Sequence, residues 1–349
     1  MSKILEICLS NDLGGLELYM KTASVKLNAV AVISKNSKLK TAFDKDGLNY
    51  LEIGRYEFLK LSKIIDKFDI SIVHLHHTKD IPTVVLAKIL SQKKPKIVQT
   101  RHMHMTRFKS DFYHKFLYKN IDLMIAVSEL TKNQLVKFIP ENVRPKVLTS
   151  YIGVKKPRII SSDERENLRA KFELGSAFVV GIIGRIEEAK GQHIVLEACE
   201  ILRKKGKNIK ALVVGGAMDD EYLAGLKERY KDDKFVGFVN NPTDVMQICD
   251  FIVLATKKET FGLVLVEAMR CGVAVLGSNF GGPLEIIDDG KTGLLFESFS
   301  SEDLSKKLEV LMDDEKLRSN LAKNGKIKAD AKFDEDRHLR EIERILGGL

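Results

Sequence analysis

Short apolar runs alternate with helical patterns along almost the whole chain, and this alternation constrains the fold most. In the first half, strands are predicted near 3–9, 29–34, 48–53, 70–75, 96–100, 122–127 and 146–150, with helices near 15–27, 57–67, 80–92, 111–119 and 129–138. In the second half, strands are predicted near 177–183, 209–215, 234–237, 250–255, 273–277 and 294–296. Continuous Val, Ile and Leu strands separated by helices are typical of parallel sheets covered on both faces.

A break in this pattern predicts two domains. Residues 151–163 contain a Gly and a Pro and precede a new helix near Asp163. A chain of 349 residues with 44% hydrophobic content can bury two cores of ordinary size. We therefore predict an α/β fold with two doubly wound domains, residues 1–156 and 157–332.

Residues 255–272 contain the most specific motif. It includes, in order, Glu259, Thr260, Phe261, Gly262, Leu263 and Glu267. A helix that starts near Phe261 leaves its first N–H groups available to a phosphate, and Gly262 lets a ligand approach the backbone. Glu259 and Glu267 would lie about 12 Å apart, so they would accept hydrogen bonds from two parts of one ligand. The alternative is a solvated loop and an exposed helix face.

This motif resembles the Glu-x7-Glu motif of the retaining nucleotide-sugar glycosyltransferases with the GT-B fold (glycosyltransferase family 4, group 1), which include lipopolysaccharide and other cell-surface glycan transferases. Four more segments match in the family's order: Gly14-Gly15-Leu16-Glu17, Ala126-Val127-Ser128-Glu129, Gly184-Arg185 with Lys190-Gly191, and Gly281-Gly282-Pro283 with Asp289-Gly290. The resemblance implies two Rossmann-like domains facing a central cleft. The first would bind the acceptor, the second would bind the donor, and a helix at 333–349 would cross back to the first.

The resemblance also implies a donor site. Arg185 and Lys190 would neutralise the pyrophosphate, as their position after a buried strand supports. Glu267 would bind the ribose and Glu259 the sugar, beside Thr260, Phe261, Gly262 and Leu263. Gly14 and Gly15 follow the first strand and are also assigned to donor binding, with a simple tight turn as the alternative.

The predicted catalytic residues are His102, Glu259, Arg185 and Lys190. Thr100-Arg101-His102 matches the strand-end Thr-x-His of the family. His104 lies two residues further along and is the alternative to His102.

The reaction that the resemblance implies is transfer of a hexose from a nucleoside diphosphate sugar to a hydroxyl group, with retention. No cofactor is expected. No metal ion is expected either, because Asp44-Lys45-Asp46 and Asp334-Glu335-Asp336 do not follow core strands. A nucleotide-sugar epimerase of the same fold is the alternative enzyme. A dehydrogenase is disfavoured because no G-x-G-x-x-G follows a strand.

Positive charge is concentrated in the first half. Residues 1–156 hold 27 Lys and Arg against 14 Asp and Glu, a net charge of +13, whereas residues 157–349 carry −4. Between positions 86 and 119 there are nine basic residues and one acidic residue, interleaved with aromatics. This segment favours an anionic glycan or glycolipid acceptor and peripheral contact with an anionic membrane. Nucleic-acid binding is a lower-ranked alternative, without a recognisable motif.

Glu17, Arg101, Arg107 and Lys109 are the predicted acceptor-binding residues. Four scattered cysteines and the lack of a signal or membrane-spanning pattern favour a cytoplasmic location, with association at the inner face of the cytoplasmic membrane. Two segments depart from the family pattern: Ile152-Gly153-Val154-Lys155 at the end of the first domain, and Gly215-Gly216 in the second. Contacts from these two loops are therefore expected to differ.

Overall fold

The computed structural model describes residues 3–256 and 258–349. The chain forms two compact units. The first comprises the residues up to Tyr151 together with Asp336–Leu349, and the second comprises Ile152–Glu335. Each unit is built around one parallel sheet whose strands are connected by helices.

The first unit contains a seven-stranded sheet in the order β3-β2-β1-β4-β5-β6-β7. Its strands are β1 (Ile4–Cys8), β2 (Val30–Ser34), β3 (Leu51–Ile53), β4 (Ile72–Leu75), β5 (Lys96–Arg101), β6 (Leu123–Ala126) and β7 (Lys146–Thr149). Its connecting helices are α1 (Gly15–Lys26), α2 (Leu39–Lys45), α3 (Phe58–Lys67), α4 (Ile81–Leu90), α5 (Phe112–Lys119) and α6 (Glu129–Phe138). Leu5 of β1 lies opposite Val30 of β2 and Val73 of β4, in parallel register.

The second unit contains a six-stranded parallel sheet in the order β10-β9-β8-β11-β12-β13. Its strands are β8 (Phe178–Ile183), β9 (Ile209–Val214), β10 (Lys234–Gly237), β11 (Phe251–Leu254), β12 (Ala274–Ser278) and β13 (Leu294–Phe296). Its helices are α7 (Ser162–Lys171), α8 (Gln192–Lys204), α9 (Asp220–Arg229), α10 (Pro242–Met246), α11 (Leu263–Arg270), α12 (Pro283–Ile286), α13 (Ser301–Asp313) and α14 (Glu315–Lys332).

The last helix, α15 (Glu335–Gly347), packs on the first sheet. Its Ile342 and Leu346 are fully buried and contact a cluster that includes Ile72 and Val98. The apolar face of α15 therefore explains why residues from Asp336 onward belong to the first unit.

All thirteen predicted strands are present within a few residues of their predicted ends. The short helix α2 was not predicted. It has only seven residues and no side-chain cap, and its lysines resemble a polar loop. A helix of this length depends on tertiary packing, here by Leu39 and Phe43, which are buried.

The boundary between the units lies at 151/152, five residues before the predicted one. Val154 N donates to Phe333 O at 2.9 Å, and Arg158 donates to Asp244 through Nε and Nη2 at 2.9 and 2.8 Å. Gly153 allows this contact, because a Cβ there would lie 2.3 Å from Asp334 O. The predicted linker residues after Tyr151 thus pack on the second unit.

Candidate active site

The order of strands reverses once in each sheet, between β1 and β4 in the first and between β8 and β11 in the second. Ligands of open parallel sheets bind beyond the carboxyl ends of the strands at such a reversal. In the second unit the predicted site residues follow β8 and β11, the strands on either side of the reversal, whereas in the first unit they follow β1 and lie at or after the end of β5.

The loop after β8 carries Arg185 and Lys190. Gln192 donates from Nε2 to Arg185 O at 2.8 Å, which holds the loop at the start of α8. Gly191 has φ +70°, and a Cβ there would lie 2.2 Å from Ala255 O. Glycine therefore lets this loop lie against the end of β11. The Arg185 side chain is exposed and pairs with Glu187 at 3.2 Å.

The structure brings Lys190 and Glu259 together. Lys190 Nζ donates to Glu259 Oε2 at 3.2 Å, although the two residues are 69 positions apart. The other carboxylate oxygen of Glu259 accepts from Thr260 N at 3.2 Å. Glu259 O accepts from Gly282 N at 3.0 Å, and a Cβ on Gly281 would lie 2.7 Å from the same oxygen. The two glycines thus hold the Glu259 loop in place.

Helix α11 begins at Leu263, two residues later than predicted. Gly262 caps it with φ +106°, a conformation that glycine adopts readily. Leu265 N donates to Gly262 O at 3.0 Å, so the N–H groups at the helix start are those of Leu263 and Val264. The Phe261 ring is buried and lies 5.5 Å from the ring of Phe333, so this side chain packs in the interior of the second unit.

Glu267 lies on α11 and is partly buried. Burial raises the pKa of Glu267 from 4.5 to about 7. The carboxyl group is therefore close to half-protonated at neutral pH, and a ligand that donates hydrogen bonds to it would favour the ionised form.

In the first unit, Gly14 and Gly15 lie at the start of α1, as predicted. The Glu17 side chain is buried, and its Oε2 would be 3.3 Å from a Cβ placed on Gly14. A side chain at position 14 would therefore press on this carboxylate.

A buried cluster of polar side chains lies between β1, β4 and β5. Glu6 accepts from His74 Nδ1 at 2.8 Å through Oε1 and from His76 Nε2 at 2.5 Å through Oε2. The other ring nitrogen of His74 lies 2.7 Å from Thr100 Oγ1. His76 Nδ1 lies 3.3 Å from His102 Nε2. The predicted active-site histidine is thus connected to a carboxylate through a second histidine.

Tyr19 links this cluster to α15. Its ring packs edge-on against His76 and His102, with centroids 5.3 and 5.0 Å apart. Its hydroxyl lies 2.8 Å from His338 Nε2, and His338 Nδ1 lies 3.0 Å from Ser150 Oγ. Burial lowers the pKa of His338 to about 4 and holds the pKa of His102 well below its ordinary value.

The structure distinguishes His102 from His104. His104 Nδ1 lies 2.9 Å from Gln134 Nε2 on α6, which places His104 outside the Glu6 cluster. Arg101 is buried, and its guanidinium donates to Met103 O and His104 O at 2.7 Å and also to Thr78. Arg101 was predicted to bind the acceptor. Its guanidinium N–H groups instead hold the loop that carries both histidines.

The predicted basic surface divides into two parts. Arg107 is exposed, Lys109 is partly buried, and Phe108 and Phe112 are 62% and 88% exposed. These four residues, here called the aromatic-basic surface, follow the carboxyl end of β5. Lys93 and Lys94 precede β5, whereas Phe108 and Lys109 lie against Phe138 at the end of α6: Lys109 N donates to Phe138 O at 2.8 Å, and the two phenylalanine ring centroids are 5.2 Å apart. No helix in the described part of the chain is long and apolar enough to cross a membrane.

Among the described residues, Glu6, His74 and His76 each place one atom of a metal-binding type within 4.8 Å of the others. Each of these atoms takes part in a hydrogen bond within the group. The hydrogen bonds account for the close approach of the three side chains.

Sequence reasoning did not assign functions to Glu6, His74, His76, Tyr19 or His338. Two signals were available: an acidic residue in the apolar strand Ile4–Cys8, and the run His74-Leu75-His76-His77 at the end of a predicted strand. Neither identifies a partner, because Glu6 and His74 are 68 positions apart.

Two family models match the chain. Residues 164–328 match "Glycosyl transferases group 1", and residues 45–147 match "Glycosyltransferase Family 4". The first match contains Arg185, Lys190, Glu259 and Glu267, and the second contains His102.

Individual relatives agree with these matches. The capsular polysaccharide biosynthesis glycosyltransferase CapM of Staphylococcus aureus is 26% identical over 74% of this chain and 72% of its own. The N,N'-diacetylbacillosaminyl-diphospho-undecaprenol alpha-1,3-N-acetylgalactosaminyltransferase of Campylobacter jejuni is 27% identical over 70% and 66%. The crystal structure of Anabaena HepE in complex with UDP superposes with a TM-score of 0.89 at 21% identity, covering 99% of this chain and 100% of HepE. That likeness shows the fold.

Proposed function

Since this chain belongs to the group 1 glycosyltransferases of family 4 and has their GT-B fold, we propose that it transfers a sugar from a nucleoside diphosphate sugar to a hydroxyl of a cell-surface glycan or glycolipid. We further propose that the transfer retains the anomeric configuration and requires no metal ion.

The pairing of Lys190 with Glu259 carries this proposal. A cation and a carboxylate lie 3.2 Å apart at the reversal between β8 and β11, and Arg185 belongs to the same loop as Lys190. A nucleoside diphosphate sugar requires this combination, since its phosphates bind cations and its adjacent sugar hydroxyls donate to carboxylates.

The remaining donor contacts follow along α11. Glu267 would accept hydrogen bonds from the ribose hydroxyls, and the N–H groups of Leu263 and Val264 would face a phosphate. The UDP complex of HepE supports a uridine nucleotide as the first donor to test.

The chemical step would break the bond between the anomeric carbon and the diphosphate oxygen. Arg185 and Lys190 would stabilise the negative charge that develops on the leaving diphosphate. The acceptor hydroxyl would attack from the same face and transfer its proton to the departing phosphate oxygen. Trapping of a covalent glycosyl-enzyme would contradict this route.

We also propose that the acceptor glycan is linked to a lipid. The names of the two relatives specify capsular polysaccharide biosynthesis and a diphospho-undecaprenol acceptor. A polyprenyl-linked glycan or a lipopolysaccharide core would present anionic groups to Arg107 and Lys109. Phe108 and Phe112 would enter the headgroup region, which would place the enzyme at the inner face of the cytoplasmic membrane.

Donor screening tests the proposed function. The protein is incubated with UDP-, GDP- and ADP-sugars, with and without short lipid-linked acceptors, and the released nucleoside diphosphate is measured. We expect one donor to give acceptor-dependent release in the presence of EDTA. Conversion of the donor sugar without any acceptor would instead identify an epimerase.

A further inference from the structure

Glu6 is a fully buried carboxylate in the middle of an apolar strand, and the proposed reaction does not use it. It lies opposite His74 in the register of β1 with β4. Burial of a charge is costly unless partners compensate for it. The two histidines that hydrogen-bond to Glu6 provide that compensation.

We propose that Glu6 and His76 are positioning residues that fix the tautomer of His102, so that His102 Nδ1 accepts a hydrogen bond from a substrate hydroxyl. The tautomer follows from the hydrogen-bond geometry and the protonation states of Glu6, His76 and His102, whereas the identity of the hydroxyl rests on the proposed function.

The first step concerns Glu6. Burial alone would raise the pKa of Glu6, but His74 and His76, which both hydrogen-bond to the carboxylate, outweigh it and lower the pKa to about 2. Glu6 is therefore ionised at neutral pH, and an ionised carboxylate can only accept hydrogen bonds. The nitrogen of His76 that faces it, Nε2, must carry a proton.

The second step concerns His76. Burial, followed by the neighbouring His74, lowers the pKa of His76, so the ring is neutral and carries one proton. With that proton on Nε2, Nδ1 of His76 holds a lone pair and can only accept. The atom opposite, His102 Nε2 at 3.3 Å, must then be the donor.

The third step concerns His102. Burial is also the largest cause that holds the pKa of His102 well below its ordinary value, followed by His76, His74, His338 and Arg101. A neutral ring with its proton on Nε2 leaves the lone pair on Nδ1. The structure records no partner for this atom among the described residues, and the ring is partly exposed. His102 Nδ1 is therefore an acceptor for a hydroxyl.

The other contacts of the cluster hold this arrangement. His74 uses Nδ1 for Glu6, and its Nε2 can accept from the hydroxyl of Thr100. The Tyr19 ring packs against both His76 and His102 and limits their rotation. A glutamine at position 6 would have the same size, but its NH₂ group would face one of the two histidines and donate to it.

Nitrogen-15 NMR of histidine-labelled protein, comprising all 349 residues, tests the proposal without an activity assay. Two-bond correlations between ring nitrogens and carbon-bound protons distinguish the two neutral tautomers, and loss of one set in His102→Gln identifies His102 among the eight histidines. We expect His102 to be protonated on Nε2 and unprotonated on Nδ1. A wild-type spectrum with the proton on Nδ1 overturns the proposal, as does one in which His76 lacks the proton that faces Glu6.

The variant Glu6→Gln tests the link to function. We expect it to move the His102 proton toward Nδ1 and to lower kcat about tenfold or more, because one hydrogen bond to the reacting complex is lost. The Kd for UDP should stay unchanged, since the proposed nucleotide contacts lie in the second unit. Glu52→Gln, a matched change on strand β3 where Glu52 pairs with Lys40, should leave both the tautomer and kcat unchanged.

The two readouts separate the possible failures. A tenfold loss of kcat in Glu6→Gln with an unchanged His102 tautomer would overturn the positioning role and leave a purely structural one. The expected tautomers in a protein that transfers no sugar would refute the proposed function and leave the tautomer assignment intact. If Glu6→Gln does not fold, the wild-type spectrum still decides.

Discussion

Replacing Glu267 by glutamine should stabilise the ligand-free protein at pH 8 and weaken its binding of UDP. The folded-state pKa of Glu267 is about 7, compared with 4.5 for a solvated glutamate. Below pH 4.5 both the folded and the unfolded chain are protonated at this site, so the group does not affect stability. Between pH 4.5 and 7 the unfolded chain loses the proton first, and the folded state is progressively destabilised.

The magnitude follows from this pKa difference of about 2.5. Each pKa unit corresponds to about 1.4 kcal/mol, which gives an upper value of about 3–4 kcal/mol above pH 7. The side chain is only partly buried, so solvent screening reduces the expected effect to about 2 kcal/mol. Glutamine has nearly the same shape and no charge. Glu267→Gln should therefore have a free energy of unfolding higher than that of wild type by this amount at pH 8, and nearly the same as wild type at pH 4.5.

Urea unfolding of both proteins at pH 4.5 and pH 8 measures the difference. Glu343→Gln, on the exposed face of α15, is the matched control and should change neither value. Calorimetry with UDP supplies the second observable: wild-type affinity should fall as the pH decreases below 7, because only the ionised carboxylate accepts from both ribose hydroxyls. Equal stability of Glu267→Gln and wild type at pH 8 would refute the burial argument, and unchanged UDP affinity would remove Glu267 from the site.

Three further changes test other parts of the molecule. Lys190→Ala should lower kcat more than it weakens donor binding, because leaving-group charge grows in the transition state. Equal losses in kcat and in donor affinity would indicate that Lys190 only binds the donor. Lys204→Ala, at an exposed lysine, is the control. Gly153→Ala should reduce the free energy of unfolding by about 1–3 kcal/mol, since its Cβ would meet the Asp334 backbone at 2.3 Å. Gly225→Ala, with no atom within 4 Å of the added Cβ, should not destabilise, and equal effects in urea unfolding would contradict the close-approach argument. Arg107→Glu with Lys109→Glu should cut binding to anionic vesicles, and wild-type binding should fade at 1 M salt, where screening shortens to about 3 Å. Lys93→Glu with Lys94→Glu, which changes the two lysines before β5, is the matched control, and an equal loss in that pair would refute the assigned surface.

Apolar runs predicted the strands well, because buried parallel strands must be continuously apolar. The meeting of the loops that carry Lys190 and Glu259 was expected for a related reason: both loops follow such strands, and the carboxyl ends of parallel strands lie at one end of a sheet. The Glu6 cluster could not be predicted, because its assembly depends on β1 and β4 being neighbours. A strand pattern does not determine that order.

Other differences also come from tertiary packing. Helix α2 is too short for a pattern to identify, and the linker after Tyr151 is fixed by the contact of Gly153 with the Asp334 backbone. Lys109 donates from its backbone N–H to Phe138 at the end of α6, 29 positions further along the chain, and no local pattern indicates this contact.

Analysis of the transfer product tests the central claim most directly. Wild-type protein is incubated with the donor that releases nucleoside diphosphate and with a short lipid-linked acceptor, in EDTA, and the acceptor is examined by mass spectrometry and proton NMR. We predict an acceptor heavier by one sugar residue, with the anomeric configuration of the donor, and loss of this product in Lys190→Ala. An altered donor sugar with no change in acceptor mass, or a product of inverted configuration, would contradict the account.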